Sequence, residues 1–145
     1  MQLTSPAFEN GGEIPARHTC DGDDVSPPLG IRDVPPGTES LALVMDDPDA
    51  PMGTWDHWLV WNIPPETTQV AEGAQPRGTA GKNDFGKLRY GGPCPPSGTH
   101  TYRFKLYALT IALNLPEGAT KPELEKAMEG HVLGQAVLEG RYSRR

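Results

Sequence analysis

Glycine (17) and proline (16) fill almost a quarter of the 145 positions, roughly twice the ordinary share of about 12%. Proline removes a backbone donor and breaks a helix interior, and glycine costs a helix about 1 kcal/mol relative to alanine. Punctuation this dense leaves no room for several long helices, so a helical bundle is excluded. Few large aliphatic residues and a net charge of −6 bring the composition to the edge of the disordered class. The order within the intervening segments decides whether the glycines and prolines shape a fold or prevent one.

Those segments read as strands. Ser40-Leu41-Ala42-Leu43-Val44-Met45 is a near-continuous apolar run closed by Asp46-Asp47-Pro48, the pattern of a strand buried on both faces. His57-Trp58-Leu59-Val60-Trp61-Asn62-Ile63 is rich in aromatic and β-branched residues and stops at Pro64-Pro65. From Thr101 to Leu109 the pattern alternates. Tyr102, Phe104, Leu106 and Ala108 share one face, and Thr101, Arg103 and Lys105 the other. Ala136–Tyr142 is a last strand. One helix has clear signals: Thr120 and Glu123 make a capping box, Leu124, Ala127, Met128 and His131 fall at helical spacing, and Gly130 marks the stop. Gln2–Gly37 reads as a hairpin-like or extended wrap, and Pro64–Arg89 as a long loop without periodicity. The expectation is one mainly β, antiparallel domain over residues 1–145 with one late helix.

The acidic balance, with a pI near 5.1, argues against a nucleic-acid partner; Arg141, Arg144 and Arg145 read as a solvated tail. No run of 18 apolar residues is present, so no membrane-spanning helix is expected. The start, Met1-Gln2-Leu3-Thr4-Ser5-Pro6, has no basic stretch leading into an apolar core. A cytoplasmic chain, or one already trimmed, is expected. Cys20 and Cys94 lack metal or redox spacing. They are either two buried thiols or a single bridge.

Three clusters carry potential chemistry. Asp47-Pro48-Asp49-Ala50-Pro51 holds two carboxylates on a stiffened turn. Trp55-Asp56-His57 opens the next strand, with His57 in phase with Leu59, Trp61 and Ile63. Gly91–Gly98, a Gly/Pro turn, leads into Thr99-His100-Thr101-Tyr102, which sets His100 and Tyr102 on one face. The turn has amides at Gly91, Gly92, Cys94, Ser97 and Gly98 that can form an anion nest. A metal site would draw on His57, His100 and Asp47, without compact ligand spacing. A nucleophilic site would have only Cys94 as its thiol. An anion pocket needs donors alone and fits with the fewest assumptions.

These residues resemble the phosphatidylethanolamine-binding protein family. The resemblance rests on Asp47-Pro48-Asp49-Ala50-Pro51, on His57-Trp58 and on the Gly-Pro-x-Pro-Pro-x-Gly-Thr-His-x-Tyr run from Gly92 to Tyr102. Thr19-Cys20-Asp21-Gly22, Ser26-Pro27-Pro28-Leu29, the segment Gly81–Gly86 and Met128-Glu129-Gly130-His131 are similar to the bacterial and archaeal Raf-kinase-inhibitor-like branch. The resemblance implies an antiparallel Greek-key β-sandwich with one or two short helices. It also implies a small pocket for phosphate, a phosphorylated small molecule or a lipid head group. In that pattern Asp47 is the buried carboxylate and His57 and His100 are paired histidines. Pro96 and Tyr102 are walls and Trp55 is at the rim; Asp49 and Gly92 complete the ligand-binding set. A cis bond at Asp47-Pro48 is implied as well. No helix is expected after Tyr142, which leaves the pocket open. No cofactor is implied, and binding without turnover is the expectation. The alternatives are a protease inhibitor acting through the Pro64–Arg89 loop, and a metal-assisted phosphoester hydrolase using His57, His100 and Asp47. A protein partner or a homodimer is compatible with each.

Overall fold

The strand β3 (Ser40–Asp47) is buried at all eight positions, because layers cover both of its faces. It is central in a five-stranded antiparallel sheet of order β6-β4-β3-β7-β8. Its companions are β4 (Trp55–Ile63), β6 (Thr79–Ala80), β7 (Thr99–Leu109) and β8 (Val132–Ser143). A second antiparallel sheet, of order β1-β2-β5, comprises β1 (Gln2–Thr4), β2 (Leu29–Arg32) and β5 (Gln69–Val70). The chain is described over residues 1–144 in this computed structural model; Arg145, part of the expected tail, lies outside the described residues.

Leu43, Met45, Trp58, Val60, Phe104 and Leu106 pack against Leu3, Leu29, Ile31 and Val70 of the small sheet. On the opposite face, Ala42, Val44, Leu59 and Trp61 pack against Leu124 and Met128 of the helix α1 (Lys121–Met128). The expected mainly β class is the one found: two antiparallel sheets and one α-helix, with a 3-10 turn at Ala16–His18. The strand expectations over 40–45, 57–63, 101–109 and 136–142 fall inside β3, β4, β7 and β8. The N-terminal wrap is made by β1 paired to β2 and by residues 11–14, which lie along β8. There Gly11 donates to the Glu139 carbonyl and Arg141 to that of Gly12, each at 2.8 Å.

Four local expectations are corrected. The stretch 64–89 contains β5 and β6, two residues each, too short to show a period. The Glu123 carboxylate accepts the Thr120 N–H at 3.1 Å, but the helix stops at Met128 and Gly130 turns the chain with φ of 79°. His131 is therefore off the helix. Arg141 belongs to β8, and Arg144 reaches Asp21 at 3.5 Å, so these are not a free tail. Among the described residues every peptide bond is trans, Asp47-Pro48 included. The Asp47 side chain closes that turn itself by accepting the Asp49 N–H at 2.8 Å.

Cys20 and Cys94 form a disulfide across 74 positions. Cys20 N–H also donates to the Pro93 carbonyl at 3.1 Å. The bridge thus fastens the Gly/Pro turn to the N-terminal wrap.

On the helix side, the fully buried Asp46 carboxylate is met by Arg103 Nε and Lys105 Nζ at 2.9 Å and by Lys121 Nζ at 3.2 Å. Lys121 also reaches Asp56 Oδ1 at 2.6 Å. Burial alone would raise the Asp46 carboxyl, but hydrogen bonds and charges from these cations outweigh it and hold it below the ordinary range. Asp46→Ala would leave three cations facing one another, and is expected to cost about 3 kcal/mol in urea denaturation. Reduction of the disulfide is expected to cost about 4 kcal/mol on the same assay, by releasing a long loop in the unfolded chain.

Candidate functional site

Strand alternation sends Asp46 to the helix side of β3 and Asp47 to the other, where the open end of the sandwich forms a cavity of about 240 Å³. β7 contributes His100 and Tyr102 to that end, two residues apart on one face. β4 contributes His57 through an irregularity. Met45 pairs with Trp58 and Asp46 with Asp56, so the register shifts and His57 falls at a bulge. The bulge turns His57 to the Tyr102 side, out of phase with Leu59 and Trp61, which face the helix. This corrects the phase expected from ideal alternation, and re-aiming a side chain in this way is a common use of bulges.

Both imidazoles are held by the same ring atom. His57 Nδ1 lies 2.6 Å from the Gly91 carbonyl oxygen, and His100 Nδ1 lies 2.7 Å from Asp47 Oδ2. A carbonyl or carboxylate oxygen only accepts, so Nδ1 carries hydrogen in both rings. Nε2 is left open to the cavity in each. Burial pushes the His57 pKa down, outweighing the Gly91 carbonyl and the carboxylates Asp47, Asp46 and Asp24.

Tyr102 lies between the two rings. Its own ring is edge-on to His57 at 5.3 Å and stacked on His100 at 6.3 Å. Its hydroxyl is buried without a hydrogen-bond partner; the Cys94 amide approaches but falls short of bonding geometry. Burial, with the nearby Asp47 charge, pushes this phenol well above its ordinary range. The upper walls are apolar: Ala50, Pro51, Met52, Trp55, Phe85 and Pro96. Met52 is 95% exposed, and the Phe85 ring is edge-on to Trp55 at 5.6 Å. Among the described residues no lysine or arginine lines the cavity, and no three His, Cys, Asp or Glu side chains converge as a metal-binding group.

The motif order, the sandwich and this end cavity can be set against known proteins. The family model for phosphatidylethanolamine-binding protein matches residues 4–143. The chain belongs to the phosphatidylethanolamine-binding protein family. A UPF0098 protein of Methanothermobacter thermautotrophicus is 52% identical, with 99% of each chain covered. One from Aquifex aeolicus is 48% identical over 99% of this chain and 89% of its own. Among solved structures, a phosphatidylethanolamine-binding protein homologue of Chlamydia trachomatis superposes with a TM-score of 0.96 at 44% identity, covering 99% of this chain and 97% of that one. Escherichia coli YbcL, described as a member of the mammalian family, gives 0.92 at 32% identity over 99% and 98%.

Of the eight residues read as ligand-binding, Asp47, Trp55, His57, Pro96, His100 and Tyr102 line this family member's cavity; Asp49 and Gly92 do not. Asp49 Oδ2 accepts the Thr101 N–H at 2.8 Å and pins the β3–β4 turn to the start of β7. Gly92 N–H donates to Asp24 Oδ1 at 2.9 Å, and a Cβ there would lie 2.2 Å from that oxygen. Gly91 N–H is committed to the His57 carbonyl at 3.0 Å. Two of the five amides expected to form an anion nest are therefore spent inside the protein.

Phe85 and Asn83 lie in the segment Gly81–Gly86 on which the resemblance partly rests, but neither was read as a site residue. Asn83 is buried. Its side chain donates to the His57 and Arg89 carbonyls at 3.0 and 2.8 Å, and accepts from the Phe85 and Lys87 amides at 3.0 and 2.9 Å. Asn83 thereby holds the 83–89 loop against β4 with Phe85 over the cavity. The available signals were that motif and a lone aromatic in a polar loop.

The His57 pKa sets a sign for acid stability. An unfolded histidine titrates near 6.5, and the folded ring titrates lower. The contribution of neutral His57 is complete above that unfolded value and is lost as pH falls from there through the folded value. Urea denaturation between pH 7 and pH 5 is expected to give a smaller loss of stability for His57→Gln than for the parent chain. Parallel pH slopes would refute this.

Proposed function

We propose that this chain binds a phosphate group, inorganic or borne on a small molecule or lipid head group, in the cavity between His57 and His100, and does not turn it over. The observation that carries the reading is the buried, unpartnered Tyr102 hydroxyl beside two imidazoles that both keep Nε2 for the cavity. An unsatisfied buried hydroxyl costs the empty protein about 1–3 kcal/mol. An acceptor oxygen reaching the cavity floor would recover it. Protonation turns each Nε2 from an acceptor into a donor, and Asp47 orients the His100 ring by accepting its Nδ1–H. The apolar rim of Met52, Trp55 and Phe85 suits the organic part of a ligand.

Calorimetric titration with inorganic phosphate at pH 5.5 and pH 8 tests the reading. Affinity is expected to be higher at pH 5.5, since each added proton turns an Nε2 into a donor; equal affinity would refute it. His100→Ala is expected to remove most of the affinity and keep the fold. Tyr102→Phe is expected to leave stability unchanged or slightly raised while weakening phosphate about tenfold, the usual worth of one lost hydrogen bond to an anion. A variant that loses stability and keeps its affinity would make the hydroxyl structural.

A further inference from the structure

We infer that the Cys20–Cys94 bridge is a site of thiol–disulfide exchange, at which a small-molecule thiol is taken up on Cys20 and the Cys94 thiol is released into the cavity wall. The inference does not depend on what the cavity binds.

The two halves of the bridge stand in different surroundings. Cys20 is exposed at the start of the polar turn Cys20-Asp21-Gly22-Asp23-Asp24. Cys94 is half-buried and lines the end cavity beside Pro95, Pro96 and Tyr102. Exchange proceeds by attack of a thiolate on one sulfur and departure of the other, and access decides which sulfur is attacked. A thiolate in solution reaches Cys20 more readily.

Most of the Gly/Pro turn stays in place without the bridge. The Tyr90 hydroxyl donates to the His18 carbonyl at 2.6 Å, the Gly92 amide to Asp24 Oδ1 at 2.9 Å and the Cys20 amide to the Pro93 carbonyl at 3.1 Å. Gly91 is bonded twice to His57, through its amide at 3.0 Å and its carbonyl at 2.6 Å. Gly92 sits so close to the wrap that a Cβ would lie 2.5 Å from the His18 carbonyl oxygen. Among the described residues these ties between turn and wrap end at Pro93. Beyond it the bridge itself holds Cys94, and Pro95 and Pro96 have no amide hydrogen to bond with. Opening the bridge therefore leaves residues 90–93 docked and His57 held. It frees the segment 94–98, which supplies Cys94, Pro95 and Pro96 to the cavity.

The exchange balances. The thiolate RS⁻ bonds to Cys20 Sγ, the Sγ–Sγ bond breaks, and its electron pair leaves on Cys94 Sγ, which takes a proton from water. Cys94 can attack the mixed disulfide in turn, expel RS⁻ and restore the bridge. A second RS⁻ attacking the outer sulfur of the mixed disulfide instead releases Cys20 and forms RSSR, so two small thiols are oxidised as one bridge is reduced. The product carries a nucleophilic thiol in a cavity otherwise lined by imidazole, carboxylate, phenol and apolar side chains.

The test uses reduced glutathione at pH 8 without denaturant. Circular dichroism follows the fold, N-ethylmaleimide traps free thiols, and mass spectrometry of peptides locates both labels. Early samples are expected to carry glutathione on Cys20 and maleimide on Cys94, at a rate that urea below the unfolding transition leaves unchanged. In the fully reduced chain, amide hydrogen exchange is expected to rise at Cys94, Ser97 and Gly98 and to stay the same at Gly91 and Gly92. Glutathione found on Cys94 overturns the direction of attack. A rate that follows the unfolded fraction overturns the inference and makes the bridge a staple opened only by unfolding. A reduced chain that loses its fold, or whose exchange rises equally over residues 90–98, overturns it too, because the turn then depends on the bridge. Single-thiol variants give a readout free of trapping. Cys20 in Cys94→Ser is expected to react with glutathione disulfide at least about tenfold faster than Cys94 in Cys20→Ser, and equal rates overturn the asymmetry.

Discussion

Two carboxylates that follow one another in β3 are fixed on opposite faces of the same sheet, and the molecule is organised around that division. Asp46 faces the helix and is neutralised by Arg103, Lys105 and Lys121. That contact ties β3 to β7 and to the first turn of α1. Asp47 faces the cavity and holds His100. A carboxylate at the end of a strand buried on both faces would be costly if unpaired. Here each one is compensated, one by a structural cluster and the other by an imidazole of the candidate site. The separation also keeps the protein's buried cations away from the cavity.

The rest of the site is a problem of orientation. An imidazole on a strand has two nitrogens, and a protein acceptor on one decides what the other can do. The Gly91 carbonyl performs this for His57 and Asp47 for His100. The Gly/Pro turn thus acts mainly through a carbonyl and through a disulfide that fastens it to the N-terminal wrap, and less through the amide nest that its glycines suggest. Its stiffness matters because the His57 contact depends on where Gly91 is held.

The sequence made the long elements legible, because β3, β7 and the capped helix each run far enough to show a period or a cap. It also placed His100 and Tyr102 together, since one strand carries both. Three things were hidden. β5 and β6 are too short for any pattern, and their existence depends on partners far along the chain. The facing of His57 follows from a bulge, where one extra residue inverts the phase that ideal alternation assigns to Leu59 and Trp61. The Gly92 amide is taken by Asp24, a contact spanning 68 positions that no local motif announces. In each case a long-range pairing overrode a local rule.

The cavity walls without lysine or arginine also bear on how fast a ligand arrives. The chain carries a net charge of −6, so an anion approaching from a distance meets repulsion, and among the described residues no lysine or arginine in the walls draws it in. Charged partners ordinarily find each other more slowly as ionic strength rises, because salt screens their attraction. For this cavity and an anionic ligand the sign reverses: salt screens a repulsion, and encounter becomes faster. Recognition then depends on short-range hydrogen bonding, made after the anion has crossed an unfavourable field.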